Sequence, residues 1–557
     1  MSTDRLIYLP LGGAGEVGMN AYVYGYGPKG RERLILVDLG VTFGDMDATP
    51  GVDLILPDIS WLEARRDRLE AILITHAHED HVGAVGLLWD KLRVPVYARN
   101  FTARIARLKM QDASQDPEQV ITVEKAPEQV ACGPFTVQFF PVAHSLPEAS
   151  GLILDTPAGR IVHSGDFKTD PHPVVGEPHD PEMLAKIGRS GVKALICDST
   201  NVLNHQPGRS EASLSEAITD VMRSSKGMVV ATTFASNVAR LKTLAVAARD
   251  AGRSVCLMGR AMLRMTQVAT EAGILRDFPS TVSPEEAREL PRENLLLIVT
   301  GSQGERRAAS AQLARGSYMG LTMKEGDTFL FSSMTIPGNE RDVGRVVNAL
   351  SAAGVDVLDN AERRYHVSGH ANRPDLEAMQ QLIAPQIVIP MHGDHRMMRE
   401  HAKLTRAAGL RTAVVPNGTV VDLAGSAPEI VDEVETGRVY LDGSRMVGAT
   451  DGVIRDRIRM AIGGHIFVTL ILDEENEALG APWAEIAGLR AQGRGGELLN
   501  EVIERELEDF ISRAGHKVMA DDDRLNDGLR RVVRQVVMEE IGKKPEVTIV
   551  VSRLLNE

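Results

Sequence analysis

The stretch Thr75-His76-Ala77-His78-Glu79-Asp80-His81 constrains this chain most, because four potential metal ligands crowd together directly behind the apolar run Ala71-Ile72-Leu73-Ile74. The run reads as a buried strand, and His81 to Trp89 reads as the first turns of a helix, so the ligands fall in a strand-to-helix loop. His76 and His78, one residue apart, project the same way from an extended segment, while Asp80 and His81 can turn toward a second point. Such a set suits two cations sharing one pocket.

Size and composition narrow the rest. At 557 residues the chain predicts about three or four domains. No apolar run approaches the roughly 20 residues of a membrane helix, and Met1-Ser2-Thr3-Asp4-Arg5 leads into a strand, so a cytoplasmic protein with no membrane partner is expected. Cys132, Cys197 and Cys256 sit in apolar or strand-like sequence without paired spacing and read as core thiols. Any metal must then be held by imidazole and carboxylate. The net charge of −14 argues against a non-specific nucleic-acid coat. It leaves room for a nucleic-acid enzyme, since bound cations and helix N-termini supply positive charge inside a cleft.

Leu6 to Leu11 opens as a strand and runs into Gly12-Gly13-Ala14-Gly15-Glu16-Val17-Gly18, a formal dinucleotide-binding fingerprint with Asp38 beyond it. Its context denies that reading. Met19 to Tyr26 alternates with a period near two, and Gly27-Pro28-Lys29-Gly30 turns it into Leu34-Ile35-Leu36-Val37-Asp38, which predicts a hairpin rather than a helix. Asp38, ending a strand, is placed to orient a ligand histidine. Further on, polar residues recur where strands stop: His144 after Phe135–Phe140, Asp166 after Arg160–His163, Asp198 after Leu195–Cys197. Strand ends are where layered α/β folds carry their sites.

Past Thr200 the texture becomes strand, loop and helix in alternation, around Met228–Phe234, Leu295–Val299 and Thr328–Phe331, which predicts a parallel, doubly wound insertion. Site-like residues return at Tyr365-His366-Val367-Ser368-Gly369-His370 and at Met391-His392-Gly393-Asp394-His395. A polar, Arg-rich connector is expected over 450–462, then a small α+β domain with helical spacing in Leu498–Ile511 and Leu525–Ile541. The predicted division is 1–205, an insertion over 206–365, a returning part over 366–449, the connector, and 463–557.

His76-Ala77-His78-Glu79-Asp80-His81, with His144 and Asp166, resembles the HxHxDH pattern and later His and Asp of the metallo-β-lactamase superfamily. Asp198 in Cys197-Asp198-Ser199-Thr200, Ser368-Gly369-His370 and Met391-His392-Gly393 resemble the further motifs of its β-CASP nucleases. The glycine-rich opening and a C-terminal domain of this size make nearly the whole chain similar to the bacterial ribonuclease J family. The fold implied is an αββα sandwich with an inserted doubly wound β-CASP domain and a C-terminal α+β domain.

By that resemblance His76, His78 and His144 hold one divalent metal ion, Asp80, His81 and His392 the other, and Asp166 bridges them. Zinc is the implied metal; manganese or magnesium would tolerate much of the same donor set. His370 is implied as general acid with Asp198 orienting it, and Ser236, Ser368 and Gly369 as the cradle of a terminal phosphate. Phe43 is a candidate platform for a base. The resemblance implies hydrolysis of single-stranded RNA, 5′-to-3′ from 5′-monophosphate ends and also internally, in RNA processing and mRNA decay. A homodimer or homotetramer through the C-terminal region is expected. The alternatives are DNA as substrate, a small-molecule metallo-hydrolase, for which the insertion is superfluous, and an inactive RNA-binding subunit, disfavoured because no expected ligand is missing. His163, His366 and His395 read as supporting residues, and His172 and His179 as loop residues.

Overall fold

The computed structural model describes residues 4–336, 338–360 and 364–554. These form two compact units: residues up to Thr42 with Leu56–Arg438, and Phe43–Ile55 with the chain from Val439 onward.

Two sheets make the centre of the first unit. In the eight-stranded sheet Arg5–Gly12, Ala21–Gly27 and Arg33–Val37 run antiparallel in sequence, followed in parallel by Leu69–Leu73, Val96–Arg99 and Val120–Val123. The fingerprint-like segment therefore does lead into a hairpin. The seven-stranded sheet places Ile387–Met391 against Ala194–Asp198, and continues through Gly159–His163, Ser150–Thr156 and Phe135–Pro141. Alternate residues of both sheets, among them Leu6, Tyr22, Ile35, Phe139, Leu152 and Ile389, fill one core between them. Each large apolar side chain buried there contributes about 1.5–3 kcal/mol, and a one-residue slip would turn the set outward, so the register is fixed. Helices Pro181–Arg189, Arg373–Ile383 and His395–Ala407 pack on the outer face of the second sheet over Phe140, Ile153 and Leu195. Asn100–Asp112 packs on the outer side of the first sheet against Val96–Arg99 and Val120–Val123. The order is αββα.

The chain leaves the second sheet after Asp198 to build the insertion and rejoins it in the strand ending at Met391, and these two residues pair across neighbouring parallel strands. Its own sheet runs Ser254–Met258, Leu295–Val299, Val229–Thr232, Thr328–Phe331, Asp356–Leu358, parallel throughout. Separate apolar clusters cover its two faces, one around Leu241 and Leu244, the other around Phe329 and Val346. Burial on both sides explains why these strands read as continuous apolar runs. All three cysteines are buried and unbridged.

Two expectations are corrected. The segment 450–462 is no irregular connector: Val453–Gly463 is a helix, because Ile454, Ile458 and Ile462 recur every four residues among the arginines that dominate its composition. The first unit also ends at Arg438 rather than near 449. Arg438–Asp442 and Arg445–Gly448 form a hairpin, and Asp53 bonds to it twice: its N–H donates to the Leu441 carbonyl, and its carboxylate accepts from Gly443 N–H, each at 2.9 Å.

In the second unit, His465–Leu472 runs antiparallel to Trp483–Ala487 and parallel to Glu546–Arg553. Leu499–Arg513 and Asp522–Ile541 cover one face through Val468, Leu507, Leu529 and Val533. On the other face the alternation leaves Ile471, Trp483 and Val550 exposed.

Arg240 ties the insertion to the returning segment. The side chain is fully buried and pairs with Glu211 at 2.5 Å; its Nη1 donates to the carbonyls of Ser332 at 2.6 Å and Tyr365 at 3.1 Å. Removing one member of such a pair strands the other charge, so Arg240→Ala should cost roughly 3–5 kcal/mol, read as a lowered denaturation midpoint of the insertion.

Candidate metal centre

Strand ends deliver most members of the centre, and a helix start delivers two. Leu69–Leu73 leads to His76 and His78, and the helix begins at Glu79, so Asp80 and His81 stand on its first turn rather than in the loop. His144 follows Phe135–Pro141, Asp166 follows Gly159–His163, and His392 follows Ile387–Met391. Asp38 and His392 adopt left-handed backbone, φ 62° and 48°. That conformation costs a non-glycine residue about 1–3 kcal/mol and clusters at functional sites.

Two four-residue groups result: His76, His78, His144 and Asp166, and Asp80, His81, His392 and Asp166, with the ligand atoms of each group all within 4.8 Å of one another. A third group joins Asp166, Asp198 and His370. Asp166 Oδ2 is common ground. It lies 3.2 Å from Nε2 of His81 and of His392, 3.7 Å from His76 Nε2, 3.8 Å from His370 Nδ1 and 4.0 Å from His144 Nε2. Its second oxygen, buried, has no protein partner.

The donor set fits cations. His144 Nδ1–H donates to the Gly369 carbonyl at 2.6 Å, and His81 Nδ1–H to Asp38 Oδ2 at 2.7 Å, which leaves an Nε2 lone pair on each ring aimed inward. His78 Nδ1 approaches His76 Nε2 to 3.0 Å and His144 Nε2 to 3.1 Å. Facing lone pairs repel unless a positive centre lies between them. Burial holds His76 and His144 well below the usual histidine range and brings His78 down to about 4. Burial also opposes charge on His81 and His392, but nearby carboxylates, Asp166 foremost, outweigh it and raise both. The pocket thus welcomes positive charge and has neutral nitrogens to bind it.

Asp38 accepts from His81 through Oδ2. Its Oδ1 also accepts from Thr75 N–H at 2.8 Å and its carboxylate from Thr75 Oγ1. His370 Nδ1–H donates to Asp198 Oδ2 at 2.8 Å, and Asp198 Oδ1 accepts from Thr200 N–H and Oγ1–H at 2.9 and 2.7 Å. Gly369 is packed so tightly that an added Cβ would stand 2.8 Å from the His144 ring. Ser368 Oγ accepts from His370 N–H at 3.1 Å. Ser236 lies between the strand Val229–Thr232 and the helix Val238–Asp250, whose cap is Asn237. Phe43 is 65% exposed and belongs to the other unit.

Sequence reasoning missed Asn20. Fully buried, its Nδ2 stands 2.9 Å from the Asp80 carbonyl, 3.2 Å from Asp80 Oδ2 and 3.0 Å from His81 Nε2, while its Oδ1 accepts from Tyr22 O–H at 2.7 Å. Gly13, at φ 82°, makes room: a Cβ there would lie 2.1 Å from Asn20 Oδ1. The glycine-rich segment therefore leads into a polar clamp on Asp80 and His81. Its only signal in the sequence was a polar residue heading an otherwise apolar strand. His163 bonds Tyr24 O–H through Nδ1 at 2.8 Å, and burial lowers it to about 3.

An αββα sandwich with this ligand ring, interrupted by a doubly wound parallel domain, defines a β-CASP protein of the metallo-β-lactamase superfamily. Residues 14–196 match the metallo-beta-lactamase superfamily and 226–350 the ribonuclease J beta-CASP domain. Residues 360–416 match a Zn-dependent metallo-hydrolase RNA specificity domain, and 452–554 the ribonuclease J C-terminal domain. Ribonuclease J of Sinorhizobium meliloti is 39% identical over 555 residues, 99% of this chain and 98% of that protein. Ribonuclease J of Mycolicibacterium smegmatis is 34% identical, over 96% and 95% of the two chains, and Ribonuclease J2 of Bacillus subtilis 31%, over 98% of each. A crystal structure of an Enterococcus faecalis protein of unknown function shares the fold, with TM-score 0.52 and 15% identity over 75% of this chain and 100% of that one. The chain belongs to the ribonuclease J family.

Removing a group that orients a ligand typically costs 10–100-fold in metal affinity. Asp38→Ala should therefore weaken divalent-metal binding by about that factor, measured by competition with a chromophoric chelator.

Proposed function

We propose that this chain is a metal-dependent ribonuclease that hydrolyses single-stranded RNA from 5′-monophosphate ends in the 5′-to-3′ direction and also internally. The observation that carries the reading is the meeting of both ligand groups and the His370–Asp198 pair on one buried carboxylate, Asp166. His76, His78 and His144 would hold one ion, Asp80, His81 and His392 the other, with Asp166 common to both; imidazole and carboxylate donors favour zinc over magnesium. Two such cations supply Lewis acidity, lowering the pKa of a water and offsetting charge that builds on the phosphodiester.

The side chains do the rest. Burial opposes charge on His370, yet Asp198 and Asp166 overcome it and raise the imidazole to about 9. With Nδ1 committed to Asp198, Nε2 is the atom that carries a proton to the leaving 3′-oxygen, and the products are a 5′-phosphate and a free 3′-hydroxyl. Asp198 is itself held by Thr200, so the acid keeps its tautomer and direction. Ser236, Ser368 and Gly369 are offered as the terminal-phosphate cradle, and Phe43 as a base platform. RNA processing and mRNA decay in the cytoplasm suit such an enzyme; among the described residues no helix is long and apolar enough to cross a membrane.

Alanine at both Asp80 and His81 should abolish hydrolysis without unfolding the chain. Comparing end-labelled RNAs that differ only in a 5′-mono- or triphosphate should show faster exonuclease action on the former; retained activity or equal rates would defeat the respective assignment.

The exposed sheet face with Ile471, Trp483 and Val550 supports self-association as a dimer or tetramer through the C-terminal region. Removing residues from Thr450 onward should lower the mass seen by light scattering to that of the monomer.

A further inference from the structure

The second unit is acidic as a whole and carries none of the clustered ligands, yet cations gather around one hollow in it. Arg459, Arg531, Arg534 and Lys544 line a hollow of ≈ 750 Å³ that contains a single carboxylate, Glu546. Met538 joins it to a neighbouring hollow lined by Arg490, Arg494 and Lys543 together with Glu539 and Glu540. These cations converge from separate elements: the helix Val453–Gly463, the helix Asp522–Ile541, the residues just past its end, and the loop Gly488-Leu489-Arg490-Ala491-Gln492-Gly493-Arg494-Gly495-Gly496.

Local pairing accounts for only part of this. Glu546 meets Arg534 at 3.9 Å and Asp456 meets Arg459 at 4.0 Å, both exposed pairs of the kind that contribute little. Glu540 is occupied, accepting the Arg494 backbone N–H at 2.7 Å and so pinning the glycine-rich loop. The negative end of the helix Asp522–Ile541 explains Lys543 and Lys544. It explains neither Arg459, on another helix, nor Arg490 and Arg494, in the loop.

Cations brought this close repel one another, and a bound polyanion relieves the repulsion. No aromatic side chain lines either hollow, so base stacking plays no part, and the glycines of the loop keep side chains out of the way of an approaching backbone. The chemistry recognised is that of a phosphodiester chain, independent of sequence.

We infer that this paired groove holds the sugar-phosphate backbone of single-stranded RNA, as a second contact in the unit that lacks the ligand ring. The inference rests on the RNA reading above. It is tested with the full-length protein carrying Asp80→Ala, so that RNA is not consumed, by measuring affinity for a 40-nucleotide homopolymer RNA as salt is raised. Adding Arg531→Glu, Arg534→Glu and Lys544→Glu should weaken binding at least tenfold near 0.1 M salt and lower the slope of log K against log salt by about 2, since each lost single-strand phosphate contact removes roughly 0.7. The glutamine versions of the same three changes should show the same trend, which guards against misfolding by reversed charge.

Unchanged affinity and slope in both variants overturn the inference. So does loss of binding that goes with a lower mass in light scattering, which assigns the groove to a subunit contact instead. The unmodified protein is assayed separately for hydrolysis of a short RNA; failure there sinks the ribonuclease reading, whereas hydrolysis combined with an unaltered salt slope sinks the groove alone.

Discussion

One carboxylate oxygen organises the first unit. Asp166 Oδ2 has five imidazole nitrogens within 4.0 Å, contributed by His76, His81, His144, His370 and His392, in a pocket where all but His370 are fully or almost fully buried. Taking that many polar groups out of water is costly unless each is satisfied. Several are satisfied from behind, His81 by Asp38, His144 by the Gly369 carbonyl and His370 by Asp198, and what remains faces inward. The two halves of the ring differ in their appetite for protons: burial dominates at His76, His78 and His144, whereas carboxylates dominate at His81, His370 and His392. That asymmetry leaves neutral nitrogens on one side of Asp166 and groups drawn toward the charged form on the other.

The scaffold makes such a ring affordable by rigidity. Sheets packed face to face over a shared apolar core hold six strand ends at one rim, and the chain turns just past those ends. Left-handed backbone at Asp38 and His392 is tolerated because neighbouring strands over-determine both positions.

Much of this was legible in the sequence, and the reasons are local. The ligand motif, the hairpin after the glycines and the parallel insertion all announce themselves through spacing or hydrophobic period. Asp38 was legible because it ends a strand. Asn20 was not, since its contacts to Asp80 and His81 span some sixty residues and depend on Gly13 lacking a side chain. The helix Val453–Gly463 was hidden by arginines that mask its isoleucines, and the unit boundary at Arg438 by a hairpin whose partner is the remote Asp53. Long-range pairing leaves no mark on composition.

The pairing of Asp198 with Met391 also bears on how the molecule is made. Nearly two hundred residues separate the two strands, and closing so long a loop is entropically costly only in proportion to the logarithm of its length. A prefolded insertion brings its own ends side by side and reduces even that. During synthesis, a nascent chain that has not yet reached His370 and His392 has Asp166 but an incomplete ring around it. The ring of donors around Asp166 is therefore complete only once translation has passed the strand Ile387–Met391.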